Sequence, residues 1–511
     1  MRRSPAEVAR GALREDFPAA SWLLPDDNAR AIAHHGPVSP SNHDELCLLS
    51  ATEQARVLRA GECSARELVA AHLARIERID PLVNAIVTRT PEHALAAADE
   101  ADRRRARGGD LPPLHGLPIA HKDLQDTAGV RTTYGSPSYR DHVPVADSLQ
   151  VERLREAGAI LVGKTNTPEW GAGSHTFNPV FGATRNAWDT TRSAGGSSGG
   201  GAVALACRML PIADGSDLGG SLRNPAAWSG VLGLRPTPGL VPRWPVSAPW
   251  LPFAVEGPMA RTTGDLALLL AAMAGPDARD PLSQRAARLD LAPPFASVSR
   301  RRVAWSPTLG GLPIDPVVSE VLAAALSLLR EVGLVISEDE PDFSGADEVF
   351  ETWRAFGSAT GLGDEYDAHG GEMKATVRAE VERGRALTSS MLSRATRLQA
   401  ELAERMRGFF ARHDYLACPV TQVEPFPIEQ EYAVEIDGVP MGSYIEWMRS
   451  NSRISATLCP AISVPVGFTR TRLPVGLQLV ARPFGERALL EVAHALEMHA
   501  GIADRIPPLA S

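Results

Sequence analysis

Between Ser193 and Thr237 the chain reads SAGGSSGGGAVALACRMLPIADGSDLGGSLRNPAAWSGVLGLRPT, with two glycine clusters flanking one apolar run. Glycine has the most backbone freedom to lose on folding, so such clusters weaken helices and strands alike. They persist as flexible linkers, or where the backbone must come very close to something. A linker fits poorly here, because AVALACRML follows at once as an apolar helix that needs tertiary contacts. A phosphate-binding turn fits poorly too, since no Gly-Lys-Ser/Thr follows the glycines. The segment calls for a packed body in which two tight loops approach one place.

The remaining sequence supplies such a body. The chain has 511 residues, 44% hydrophobic and 22% charged, enough apolar surface for a large core. In SARELVAAHLARIERIDP, Ser64 and Glu67 form a capping box and Pro81 is expected to close the helix. A strand-like run, Leu117 to Ala120, then delivers His121 and Lys122. DSLQVERLREAGAILVGKTN reads as helix, stop at Gly158 and buried strand Ala159 to Val162. Farther on, Asp315 is an N-cap, Pro316 the first helical residue and Gly333 the C-terminal stop before a strand, Leu334 to Ile336. Strands alternating with helices of this length predict an α/β fold: a single large α/β/α layered domain around a central mixed, mostly parallel twisted sheet. Residues 1–45 are expected to form an N-terminal arm and 46–505 the main domain. Its core motifs lie in 115–240, with a helical insertion at about 340–415.

Charge and cysteine usage remove several function classes. The net charge of −9 argues against a polyanion-binding surface, and the basic run Arg103 to Arg107 reads as a solvated turn. The five cysteines, Cys47, Cys63, Cys207, Cys418 and Cys459, are scattered and include no CxxC pair. Neither a disulfide framework nor a zinc site is suggested, and a reducing, cytoplasmic setting fits. No apolar run has the length of a membrane span or the form of a signal peptide. HExxH and equivalent metal-ligand spacings are absent, so no metal or cofactor is expected.

Three polar residues stand out. Lys122 ends an apolar run that draws its ammonium inward, and burial lowers a lysine pKa towards that of a neutral base. The alternative is a core-edge lysine paired with Asp123 or Asp126. Ser197 sits in GGSSGGG, where backbone almost free of Cβ atoms tolerates unusual geometry. Ser221 ends GSDLGGS, where successive small residues let amides converge on one cavity as an oxyanion hole requires; alone it also suits an ordinary glycine turn. His121 and His175 are candidate bases for a Ser-His-Asp arrangement, but the sequence shows no orienting partner for either. Trp170, Trp228, Trp244 and Trp250 gather around these motifs in sequence, suiting an aromatic pocket wall, with at least two expected in the core.

Taken together, PIAHKDL, GGSSGG and GSDLGGSLRNPAAWSGVLGLRPT resemble the amidase signature family of serine hydrolases. GAILVGKTNTPEW and CPAISVPVGF…LPVGLQLV are further family-like blocks, and the resemblance runs from about Leu49 to Met498. It implies the amidase signature fold and hydrolysis of a C–N bond in an aryl or acyl amide, an oligoamide or a carbamate. Ser221 would be the acylating nucleophile. Ser197, expected with a cis peptide bond, would relay its proton to neutral Lys122. Backbone amides of Leu218, Gly219, Gly220 and Ser221 would hold the oxyanion. Ser198, Asp217 and Arg223 would support the loops, and Trp170, Gly171, Ala172 and Gly173 would line the substrate pocket. No cofactor, nucleic acid or membrane partner is implied, and the chain is expected to be a monomer or homodimer. Two other readings stay open: the glutaminase component of a tRNA-dependent amidotransferase, and a catalytically inactive binding protein on the same scaffold.

Overall fold

The computed structural model describes residues 43–283 and 290–511; residues 1–42, nearly all of the expected arm, lie outside that range. Eleven strands carry the architecture: β1 (Ile86–Arg89), β2 (Pro118–Lys122), β3 (Ile160–Thr165), β4 (Ile212–Asp217), β5 (Leu232–Arg235), β6 (Val255–Ala260), β7 (Arg302–Trp305), β8 (Val335–Glu338), β9 (Tyr415–Pro419), β10 (Ala461–Phe468) and β11 (Pro474–Val480). They form a small sheet in the order β1-β3-β2 and a large one in the order β8-β7-β9-β11-β10-β5-β6-β4. Every residue of β2, β5, β6, β9 and β11 is buried, as expected for strands covered on both faces.

The layered α/β class with a large mixed sheet is the one expected, but the balance of pairings differs. Parallel pairing joins β2 to β3, β7 to β8 and β7 to β9. The other six pairs in these two sheets are antiparallel. The cause lies in the connections. A helical crossover returns the chain in the same direction, as between β2 and β3 and between β7 and β8. By contrast, β10 turns into β11 through a short loop at Thr469–Leu473 and pairs with it head to tail.

Local signals set the elements. The helix α1 (Ala65–Val83) begins at the Ser64–Glu67 capping box, in which Ser64 Oγ accepts from the Glu67 amide at 3.1 Å. Pro81 does not end it: the helix runs to Val83 and closes at Asn84, whose left-handed backbone (φ +54°) lets its amide donate to the Asp80 carbonyl. The first glycine cluster opens α2 (Gly199–Ala206), which is buried throughout. A Cβ on Gly200 would lie 2.4 Å from the Asn166 amide nitrogen, so close approach, not flexibility, accounts for that glycine. The second cluster opens α3 (Arg223–Ser229).

Beyond these, α4 (Pro316–Glu331) starts at Asp315, whose carboxylate accepts from the Val317 amide at 2.9 Å. The 340–415 region forms α5 (Ala346–His369), α6 (Ala375–Arg385) and α7 (Ser389–Phe410). A further short helix, α8 (Arg449–Ala456), packs against α5. Among the described residues no helix is long and apolar enough to cross a membrane.

The two sheets meet edge to edge through a side chain. Asp214 on β4 accepts the Lys122 amide with Oδ1 at 2.9 Å and pairs with His121 Nδ1 through Oδ2 at 2.6 Å. The end of β2 is thereby held beside β4 without a ladder between them. Replacing the Ser64 cap by alanine removes two hydrogen bonds from the start of α1, from the Glu67 amide and to the Glu67 carboxylate, without touching either sheet. Ser64→Ala is expected to cost about 1 kcal/mol of unfolding free energy in a urea titration.

Candidate active site

Lys122, the last residue of β2, is completely buried. Its Nζ lies 2.7 Å from Ser197 Oγ, 2.9 Å from Ser198 Oγ and 3.0 Å from Ser216 Oγ. Burial, opposed by the carboxylates of Glu256, Asp217 and Asp214, pulls the lysine down to about 8. The hydroxyls of the two serines in the first glycine cluster therefore do not cap α2; they face a lysine that gives up its proton more readily than a solvated one. Asp123 is not its partner, because that carboxylate accepts from Thr133. The Gly196–Ser197 peptide bond is cis, as expected.

Ser221 joins this cluster through the backbone, its carbonyl accepting the Ser198 amide at 3.1 Å. Among the described residues its hydroxyl has no hydrogen-bond partner. It lines a cavity of about 110 Å³ together with Gly171, Ala172, Gly173, Leu218 and Gly219. The backbone amides of Leu218, Gly219 and Ser221 make no hydrogen bond among the described residues. Gly220 is different: its amide donates to Asp217 Oδ1 at 2.9 Å, so it is not a free oxyanion donor. With φ +125° and a would-be Cβ 2.6 Å from Asn451, Gly220 shapes the loop instead.

A buried ionic knot holds that loop. Arg223 grips Asp217 twice, Nη2 to Oδ1 at 2.9 Å and Nε to Oδ2 at 3.1 Å, and also reaches Gln478 Oε1 on β11 at 2.6 Å. Arg235 donates to the Asp217 carbonyl at 2.6 Å and to the Phe253 carbonyl at 2.9 Å. Asp217, Arg223 and Arg235 are all fully buried. Burial pushes the Asp217 carboxyl upward, but the two guanidiniums overcome it and hold the group well below the usual carboxylate range.

The histidines fall outside the cluster. His175 is satisfied at both nitrogens, by the Ile428 carbonyl at 3.0 Å and Ser193 Oγ at 2.8 Å, and burial holds it down at about 4. His121 does have a partner, Asp214, but one that locks the sheet edges. Of the four tryptophans, only Trp170 lines the cavity. Trp228 stacks on Trp447 in the core at 5.2 Å, while Trp244 and Trp250 are exposed. The aromatic wall comes from Trp170 with Phe350 and Tyr444.

Several residues here lie outside the sequence motifs. Asp214 and Ser216 sit two apart on β4, and the period-two alternation of a strand puts both on the face towards Lys122. Phe350 and Arg354 on α5, Glu380 on α6, Tyr444, and Met448 and Ser452 at and within α8 complete the cavity wall. No spacing in the sequence links these to Ser221.

Comparison with known proteins accords with this geometry. The family model described as Amidase matches residues 67–490. The chain belongs to the amidase signature family. An acylamidase of Rhodococcus erythropolis is 35% identical over 466 residues, covering 90% of this chain and 97% of the relative. A glutamyl-tRNA(Gln) amidotransferase component of Methylococcus capsulatus is 36% identical, covering 88% and 99%. Among solved structures, a bacterial aryl acylamidase of this family superposes with a TM-score of 0.82 at 25% identity, covering 90% of this chain and 99% of that one. A 6-aminohexanoate cyclic dimer hydrolase superposes at 0.81 with 27% identity, covering 91% and 100%.

In this amidase the ionic knot leaves two buried positive charges unpaired if Asp217 is neutralised. Asp217→Asn is expected to cost about 3–5 kcal/mol of stability, read from denaturant midpoints, because removing one partner strands the others.

Proposed function

We propose that this amidase hydrolyses the C–N bond of a small linear amide through an acyl-enzyme on Ser221, with Ser197 and Lys122 as proton relay and base. The observation that carries the reading is the 2.7 Å contact between the buried Lys122 Nζ and Ser197 Oγ, beside the cavity onto which Ser221 opens. An ammonium donates three hydrogen bonds, whereas a neutral amine donates two and accepts one. With three hydroxyls around Nζ, the neutral form accepts a proton from one of them, and Ser197 is the nearest.

The steps follow from that proton. Ser221 Oγ, which makes no hydrogen bond among the described residues in the resting site, comes within reach of Ser197 as it bonds to the carbonyl carbon; its proton passes to Ser197 and the Ser197 proton to Lys122. The carbonyl oxygen gathers charge and is met by the open amides of Leu218, Gly219 and Ser221. The relay then runs backwards, protonating the nitrogen as the C–N bond breaks, since an unprotonated amine leaves poorly. Water enters by the same relay, adds to the acyl carbon and releases the acid and Ser221. The chemistry at the carbonyl carbon is the same for an aryl amide, an acyl amide or a carbamate. The acylamidase relative and the aryl acylamidase structure favour an acyl or aryl amide, and the amidotransferase relatives keep glutamine as the competing substrate.

We place the enzyme in the cytoplasm as a monomer or homodimer without nucleic-acid or membrane partners. The five free, buried cysteines and the net charge of −9 support this.

Ser221→Ala is expected to lower kcat/KM on p-nitroacetanilide by about 10³-fold or more. A fluorophosphonate probe is expected to label Ser221 and no other serine; hydrolysis unaffected by Ser221→Ala overturns the assignment. Because the protonated lysine is the inactive form, kcat/KM is expected to fall as pH drops below about 8 and to level off above it. Lys122→Met removes that limb with the activity. Hydrolysis of glutamine in preference to the anilide supports the amidotransferase reading instead.

A further inference from the structure

The cavity in front of Ser221 is lined by a pair of opposite charges that no step of hydrolysis uses. Arg354 on α5 and Glu380 on α6 form an ion pair, and the Arg354 guanidinium also donates to the Tyr444 hydroxyl and lies 5.3 Å over its ring. All three line the cavity, yet each is no more than 8% exposed. Phe350 and Val377 surround them with apolar surface. On the outer side Glu380 meets Arg383 at 3.6 Å, and Glu351 is shared by Arg383 at 3.8 Å and Arg449 at 3.6 Å, so each carboxylate around the pair has an arginine partner.

We propose that Arg354, Glu380 and Tyr444 form a charge-compensated, specificity-determining wall that admits a short uncharged acyl group and turns away one ending in a carboxylate. This rests on the amidase reading above and names the acyl group that reading leaves open. Two observations carry it. The guanidinium is committed to Glu380 and Tyr444, so an incoming carboxylate finds no free cation and meets Glu380 as a like charge. Admitting it would require breaking a buried pair, which leaves charges uncompensated in a low-dielectric site. The size agrees: a cavity of about 150 Å³ takes benzene, so 110 Å³ holds about four heavy atoms. A zwitterionic amino acid such as glutamine is excluded on both counts.

The test compares the p-nitroanilides of butyric and succinic acids, whose acyl chains match in length and differ by the terminal carboxylate. Wild-type enzyme is expected to favour the butyryl compound in kcat/KM by about ten-fold or more. Glu380→Gln uncovers the Arg354 charge and is expected to shift that ratio towards the succinyl compound by about ten-fold or more, while Glu380→Asp keeps the wild-type preference. Equal use of both anilides by the wild type overturns the proposal, whether or not Glu380→Gln folds. So does an unchanged ratio in a folded Glu380→Gln enzyme, or preference for glutamine over butyramide. Absence of any amide hydrolysis, with no fluorophosphonate label at Ser221, overturns the amidase reading and this inference with it; hydrolysis of both anilides without discrimination overturns this inference alone.

Discussion

An amine can work as a base at moderate pH only if something makes its protonated form costly, and here that is the exclusion of water around Lys122. The side chain is buried to its tip, and its nitrogen meets three hydroxyls but no carboxylate. Had Glu256 or Asp214 reached it, the ion pair would have fixed the ammonium. Both carboxylates are engaged elsewhere, Glu256 with Gln125 and Arg243, Asp214 with His121 and the Lys122 amide. The surrounding fold acts as a set of restraints that keep negative charge near the lysine but out of contact.

The same tactic runs through the Ser221 loop with the sign reversed. Asp217 is bound so tightly by Arg223 and Arg235 that it stays charged in the core, and through Gln478 the knot reaches β11, far along the chain. Segments more than two hundred residues apart thus determine which amides of the loop are open. Gly220 shows how fine that control is, since one carboxylate oxygen takes its donor away from the cavity.

Much of this was legible in the sequence, for identifiable reasons. The glycine clusters announced close packing, and the short apolar run before Lys122 announced a buried lysine. Capping residues at Ser64 and Asp315 set helix starts correctly, because a cap is a local interaction. What stayed hidden was whatever depended on distant partners. Pro81 looked like a stop because proline usually ends a helix, whereas here the helix runs past it and closes at the left-handed Asn84. The mostly parallel sheet was inferred from helix-strand alternation, which says nothing of loops that reverse the chain. The cavity wall was the largest omission. Arg354 and Glu380 look like ordinary surface charges on amphipathic helices, and only the docking of α5 and α6 turns them inward. Two of the tryptophans misled for the same reason: closeness in sequence placed Trp244 and Trp250 near the site, whereas the fold leaves them facing solvent and only Trp170 of the four lines the cavity.

The edge-to-edge contact through Asp214 has a consequence for the base. The base comes from the small sheet, while both loop serines are carried by segments leading into and out of the large one. A lysine left in water keeps the ordinary high pKa of its ammonium, so the lowered value of Lys122 depends on the enclosure that both sheets provide. The base and its serine partners therefore exist as a working set only where the two sheets and the helix Gly199–Ala206 are packed together.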